Sequence, residues 1–159
     1  MVRKIEYNVR HQAKASIRKR LGTIQIAAGY NTNPVVTEDY RHPDRGLQII
    51  WVDSGTEVFE SQGISQISQC ALTILITGLV HVGPDSDEES LDALLQDIRS
   101  CIAAHVTGIA DDINDGVGGN VQPMLTWGQC DTDQGILREE GEAMVIQPLI
   151  ITYLNGPEW

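Results

Sequence analysis

The strands of this 159-residue chain read apolar on both faces, yet only two amphipathic helices are available to cover them. Leu47-Gln48-Ile49-Ile50-Trp51-Val52, the run from Cys70 to Ile76 and the run from Met144 to Ile151 lack the in/out alternation of a half-solvated sheet. Such strands want cover on both sides. Four strands about 4.8 Å apart make a sheet roughly 19 Å wide, and two helices of roughly 10 Å diameter roof one face of it. The other face is left for a partner, so the chain reads first as a subunit built to associate.

The length suits one domain, residues 1–159, with a core large enough to need no staples. Hydrophobic residues make up 42% of it, which argues against a wholly disordered chain. No uninterrupted apolar stretch reaches about 18 residues, and Met1-Val2-Arg3-Lys4-Ile5-Glu6 lacks the apolar block of a signal peptide. The expectation is a soluble protein that stays where it is made and meets no membrane. Cys70, Cys101 and Cys130 are odd in number and far apart, which suits reduced, packed thiols in the cytosol better than a disulfide framework.

Charge is segregated along the chain. Residues 1–20 hold Arg3, Lys4, Arg10, Lys14, Arg18, Lys19 and Arg20 against Glu6 alone, a local charge of +6 against -11 overall, which leaves -17 on the rest. So acidic a remainder should repel nucleic acid over most of its surface. The basic segment could serve as a nucleic-acid arm, but it reads better as a solvated helix face or as a patch that meets an acidic neighbour.

The pattern of elements is α+β. Ile5, Val9, Ala13, Ile17, Leu21, Ile24 and Ala28 recur at spacings of four and three, predicting a first helix from about Tyr7 to Ala28 with Gly29 as its left-handed stop. A short strand, Val35 to Asp39, precedes the turn His42-Pro43-Asp44-Arg45-Gly46. Residues 47–60 and 64–82 form a long hairpin closed at Ser61-Gln62-Gly63. Acids after Gly83-Pro84 start a second helix, about Asp87 to Val106, which Ile109 and Ile113 could extend. Strands at about Gln122–Cys130 and Ala143–Leu154 close the chain, with Pro148 predicting an edge or a bulge in the last. The expected architecture is a mainly antiparallel sheet of about four to five strands, two amphipathic helices on one face and a long projecting β-hairpin. Its arm, about residues 56–69, is half polar and marginal alone, so it should rest on something else. A short tail, 155–159, follows.

Chemistry is sparse. The histidines and cysteines show no metal-binding spacing. Asp131-Thr132-Asp133-Gln134-Gly135 alternates acids as calcium loops do, but lacks the remaining ligands. Gly116-Val117-Gly118-Gly119 is followed by no Lys-Ser/Thr, and no Gly-x-Ser-x-Gly elbow occurs. The sequence names no catalytic, cofactor-binding or metal residue, and the chain is expected not to be an enzyme.

The order of elements resembles the tail terminator (tail completion) proteins of tailed bacteriophages. The likeness runs from about Ile5 to Leu154: an amphipathic helix ending in Ala27-Ala28-Gly29-Tyr30, a short strand, a long hairpin, a helix containing Leu94-Leu95-Gln96-Asp97-Ile98-Arg99, a glycine-rich loop and a last strand ending Ile150-Ile151-Thr152-Tyr153. It implies a structural virion protein, assembled in the host cytoplasm and sited at the neck end of the tail. There a homo-oligomeric ring, usually a hexamer, caps the tail tube protein and offers a surface to head-completion or neck proteins. DNA would pass through its lumen without specific binding, which an acidic wall suits. Another phage ring subunit, such as a head-to-tail connector or a minor tail protein, would share the physics of ring formation. A small-ligand-binding domain or an enzyme without recognisable motif is the alternative of a different class, and would need a pocket of convergent polar groups. The interface candidates are Phe59, Val58, Ile64 and Ile67, with Phe59, the single phenylalanine, as anchor.

Overall fold

Val9, Ala13, Ile17 and Leu21 are fully buried, and their spacing of four puts them on one face of the first helix, α1 (Ile5–Leu21). The computed structural model describes residues 5–38, 48–61, 68–81, 88–130 and 142–155. Arg18, Lys19 and Arg20 in the last turn of α1 complement its dipole. The helix stops seven residues short of the predicted end. Gly22 follows it, and the chain tightens through Thr23 N–H to the Arg20 carbonyl and Ile24 N–H to the Leu21 carbonyl. Ile24 remains buried beyond that break, which is why the apolar spacing outlasts the helix. A 3-10 turn, Ile26–Ala28, ends at Gly29 with φ 96°, the left-handed residue expected there.

Five strands then form one sheet in the order β1-β2-β3-β5-β4, with β1 (Val35–Thr37), β2 (Ile49–Ser61), β3 (Ser68–His81), β4 (Met124–Trp127) and β5 (Glu142–Asn155). Among the described residues only the β1/β2 pair is parallel. Between β3 and β4 come α2 (Glu88–Ala104) and α3 (Val106–Val117). α2 matches the second helix expected from about Asp87 to Val106, but the extension that Ile109 and Ile113 offered is not continuous with it. The backbone leaves helical geometry at His105, so Ile109 and Ile113 belong to a separate helix, both fully buried. α3 ends at Gly118 (φ 71°), and Asn114 Oδ1 then accepts the Val121 N–H at 3.0 Å to steer the chain into β4.

The three helices share one face of the sheet: α1 packs on β2, α2 on β3 and β5, and α3 against α1. Leu72, Ile74 and Ile76 of β3, and Leu149, Ile151 and Tyr153 of β5, meet the helices in the main core. Gly78 lets α2 sit close, since a Cβ there would stand 2.9 Å from Leu94 Cδ2. A register shift between Ser54 and Glu57 inserts one extra residue in β2. Before it, Ile50 and Val52 face the helices; after it, Glu57 and Phe59 do, paired with Leu72 and Cys70.

Two expectations about the strands need correction. The hairpin arm does not run free of the sheet among the described residues, because β5 accompanies β3 as far as Ser68↔Asn155. At that level β2, β3 and β5 form three adjacent strands, and residues 62–67 lie outside the described ones. Pro148 makes β5 neither an edge nor bulged: β5 lies between β3 and β4, in unbroken register with β3. The Pro148 carbonyl accepts the Gly128 N–H at 2.9 Å, so its backbone faces β4, where the missing N–H would have met the Gly128 carbonyl. Gln147 replaces that donor. Its fully buried side chain gives Nε2 to the Gly128 carbonyl at 3.1 Å and to the Pro148 carbonyl at 2.9 Å.

Candidate functional site

A catalytic centre would show among the polar groups inside the molecule. Asp97, buried on α2, accepts four bonds: both oxygens from the Asn31 N–H (3.1 and 3.0 Å), one from Asn31 Nδ2 (2.9 Å) and one from Thr32 Oγ1 (2.5 Å). That carboxylate pins the chain leading into β1 onto α2. Gln147 Oε1 is held by Arg99 through Nε (3.0 Å) and Nη2 (2.8 Å). Glu57, turned inward by the bulge, is bound by Arg10 Nη2 and accepts the Tyr153 hydroxyl at 2.5 Å. Burial, and then the Glu57 carboxylate, hold the Tyr153 phenol far above its ordinary pKa, so it remains a donor.

Cys101 and His105 stand four apart with Sγ and Nδ1 at 3.8 Å, the outline of a nucleophile beside a base. The geometry is wrong for it. His105 Nδ1 lies 2.7 Å from the Cys101 carbonyl, where it donates and has no lone pair for the thiol proton. The thiol is fully buried, gives its hydrogen to the Arg20 carbonyl at 3.1 Å, and is raised in pKa mainly by burial. Among the described residues, no three His, Cys, Asp or Glu side chains converge as a metal site.

One groove, of about 410 Å³, lies between α1 and α3, lined by Gln12, Ala15, Ser16, Lys19, Asp112, Asp115 and Gly116. Asp112 is spent on Ser16 Oγ (2.6 Å) and Arg20 Nη2 (3.1 Å), and the Ser16 hydrogen bond above all lowers its pKa. These contacts couple two helices. The acids Asp111, Asp112 and Asp115 therefore divide between an interhelical tie and exposed surface.

What remains is the surface of the sheet. On the face away from the helices, Ala71, Leu75, Ile146, Pro148, Ile150 and Leu154 are only half-buried, and Val58 and Met124 are exposed. The face is not bare throughout: Ile49, Trp51, Leu79 and Met144 form a second buried cluster at its other end. The expectation of a wholly uncovered face is thereby narrowed to the part around β5 and the distal half of β3. Of the interface candidates, Val58 (54% exposed) and Phe59 (52%) stand on adjacent positions of β2 and hence on opposite sheet faces. Phe59 is not part of the subunit core, although it lies on the helix side. Ile64 and Ile67 lie outside the described residues.

The edges were not foreseen from sequence. β1 pairs with β2 only from Ile49 to Trp51, so beyond that point no described strand lies beside β2's outer edge. Arg18 Nη2 takes the outward carbonyl of Val52 at 3.1 Å, and with Arg10 and Lys14 it forms a basic row at spacings of four along α1. At the opposite end of the sheet, β4 likewise has an unpaired outer side among the described residues.

No protein-family model matches this chain, and no curated protein is found to be similar to it. No described helix is long and apolar enough to cross a membrane.

Proposed function

We propose that this chain is a structural virion subunit that assembles into a closed ring of six copies, caps the tail tube of a bacteriophage and offers its other side to head-completion proteins. The observation that carries the reading is the one-sided roof: α1, α2 and α3 share one sheet face, while half-buried apolar side chains from Ala71 to Leu154 line part of the other. Apolar area of that kind is stabilised by association. A ring follows when one patch meets a different patch on the next copy and the rotation closes. Support also comes from the interior, where the polar groups described above are committed to each other and hold elements in place. The charge of -17 outside residues 1–20 fits a lumen through which DNA passes without adhering.

Co-assembly with a tail tube protein tests the proposal. Addition of the chain should arrest tube growth and leave a disc at one tube end in negative-stain images. Tubes that grow undisturbed, with no added density, would remove the tail-terminating role.

A further inference from the structure

The two ends of the sheet carry complementary features. Among the described residues seven large hydrophobic side chains are exposed, and five of them lie on strands with an open edge: Val35 on β1, Val58 and Phe59 on β2, Met124 (62%) and Trp127 (39%) on β4. An unpaired strand edge presents a row of backbone donors and acceptors, and its natural complement is another strand. After the bulge, β2 runs from Glu57 to Ser61 with no described strand on its outer side, five residues against the four of β4.

Direction fits as well. β3 is antiparallel to β2, β5 to β3 and β4 to β5, so β4 runs antiparallel to β2 within one subunit. A second copy set alongside in the same orientation therefore brings an antiparallel strand against β2, with like sheet faces aligned. Arg10, Lys14 and Arg18 lie on the side of α1 next to the β2 edge, opposite the Gln12, Ser16 and Arg20 side that meets α3, so a strand added at that edge would run beside a basic row.

We propose that the outer edge of β2 from Glu57 to Ser61, open among the described residues, takes β4 of a second copy of this chain as an added antiparallel strand, so that the ring is closed by sheet continuity. Val58 and Phe59 then clamp the incoming strand from its two faces. This deepens the ring reading and rests on it, adding strand edges to the contact between copies.

Cross-linking in the full chain tests it. Val58→Cys and Met124→Cys place thiols on the same sheet face, both at exposed sites, so neither empties the core. A Cys130→Ser background leaves only the buried Cys70 and Cys101 besides them. With a short bis-maleimide, the doubly substituted chain should give a ladder of covalent oligomers ending at ring size. The two single variants should give covalent dimer only when mixed. Dimer from Val58→Cys alone would mean a two-fold β2 to β2 contact and overturn the proposal. Rings in images of the same samples without mixed-variant cross-links would overturn the edge contact and leave the ring standing. Monomers throughout, uncross-linked at the highest soluble concentration, would overturn both. Phe59→Lys supplies a second check: circular dichroism should stay unchanged while ring formation is lost at least tenfold in concentration dependence, and unchanged assembly would count against the clamp.

Discussion

Gln147→Met in the last strand should destabilise the subunit by about 2 kcal/mol, because it keeps the volume of a fully buried side chain while deleting its donors. The half-buried Gly128 carbonyl then loses the bond that substitutes for the N–H Pro148 does not have, and leaving such an acceptor unsatisfied costs about 1–3 kcal/mol. Arg99 loses its acceptor too, but it is exposed and water replaces the bond. For a chain of this size the loss corresponds to a fall in Tm of roughly 4–8 °C. The diagnostic is a cycle with Pro148→Val, which restores a backbone N–H facing Gly128. In that background Gln147→Met should cost about 1 kcal/mol less than in the native chain, a coupling large enough to measure. Urea unfolding of the four proteins at one fixed protein concentration provides the assay, since assembly would otherwise contribute. Additive losses, with coupling near zero, would refute the idea that Gln147 stands in for the proline.

Phe59→Ala should leave subunit stability within about 0.5 kcal/mol, as expected of a surface position, and impair ring formation or tube capping; a destabilised subunit whose folded fraction assembles normally would return Phe59 to the core. Ser16→Ala should raise the pKa of Asp112 towards its ordinary value, followed by carboxyl NMR titration. Because the folded value lies below the unfolded one, the associated stability is present above the unfolded pKa and is lost as pH falls through the folded value, and Ser16→Ala should shrink this acid-side loss; an unchanged titration would deny the Ser16 hydrogen bond its role. Duplex DNA should bind the assembled protein only weakly at physiological ionic strength, and tight, salt-dependent binding in a titration would reject the acidic lumen.

The sequence was legible where one periodicity governed a whole element. Val9 to Leu21 and Leu91 to Ile102 announced their helices, and the apolar runs announced β2, β3 and β5 within a few residues. The fold class follows from these. Elements broke where a local device intervened. Ile24 continues the stripe of α1 in space but not in helical geometry, and His105 interrupts what periodicity joined. The bulge at Gly55 and Thr56 exchanges the two faces of β2, so simple alternation assigns Glu57 and Phe59 to the wrong side. Pro148 misled for a related reason. Proline demotes a strand only if its missing donor is left uncompensated, and the preceding Gln147 supplies that donor from a side chain. Nothing in the sequence alone distinguishes that glutamine from a solvent-facing one. The basic row of α1 was visible as charge, whereas its position beside an open strand edge depends on the pairing of β1 with β2 stopping at Trp51.

The most direct measurement is negative-stain imaging of the purified chain, alone and mixed with a tail tube protein, with class averages sorted by symmetry. Closed rings of six copies, free or seated on tube ends, are the expected result. Monomers in both samples, or discs that never occupy a tube end, would contradict it.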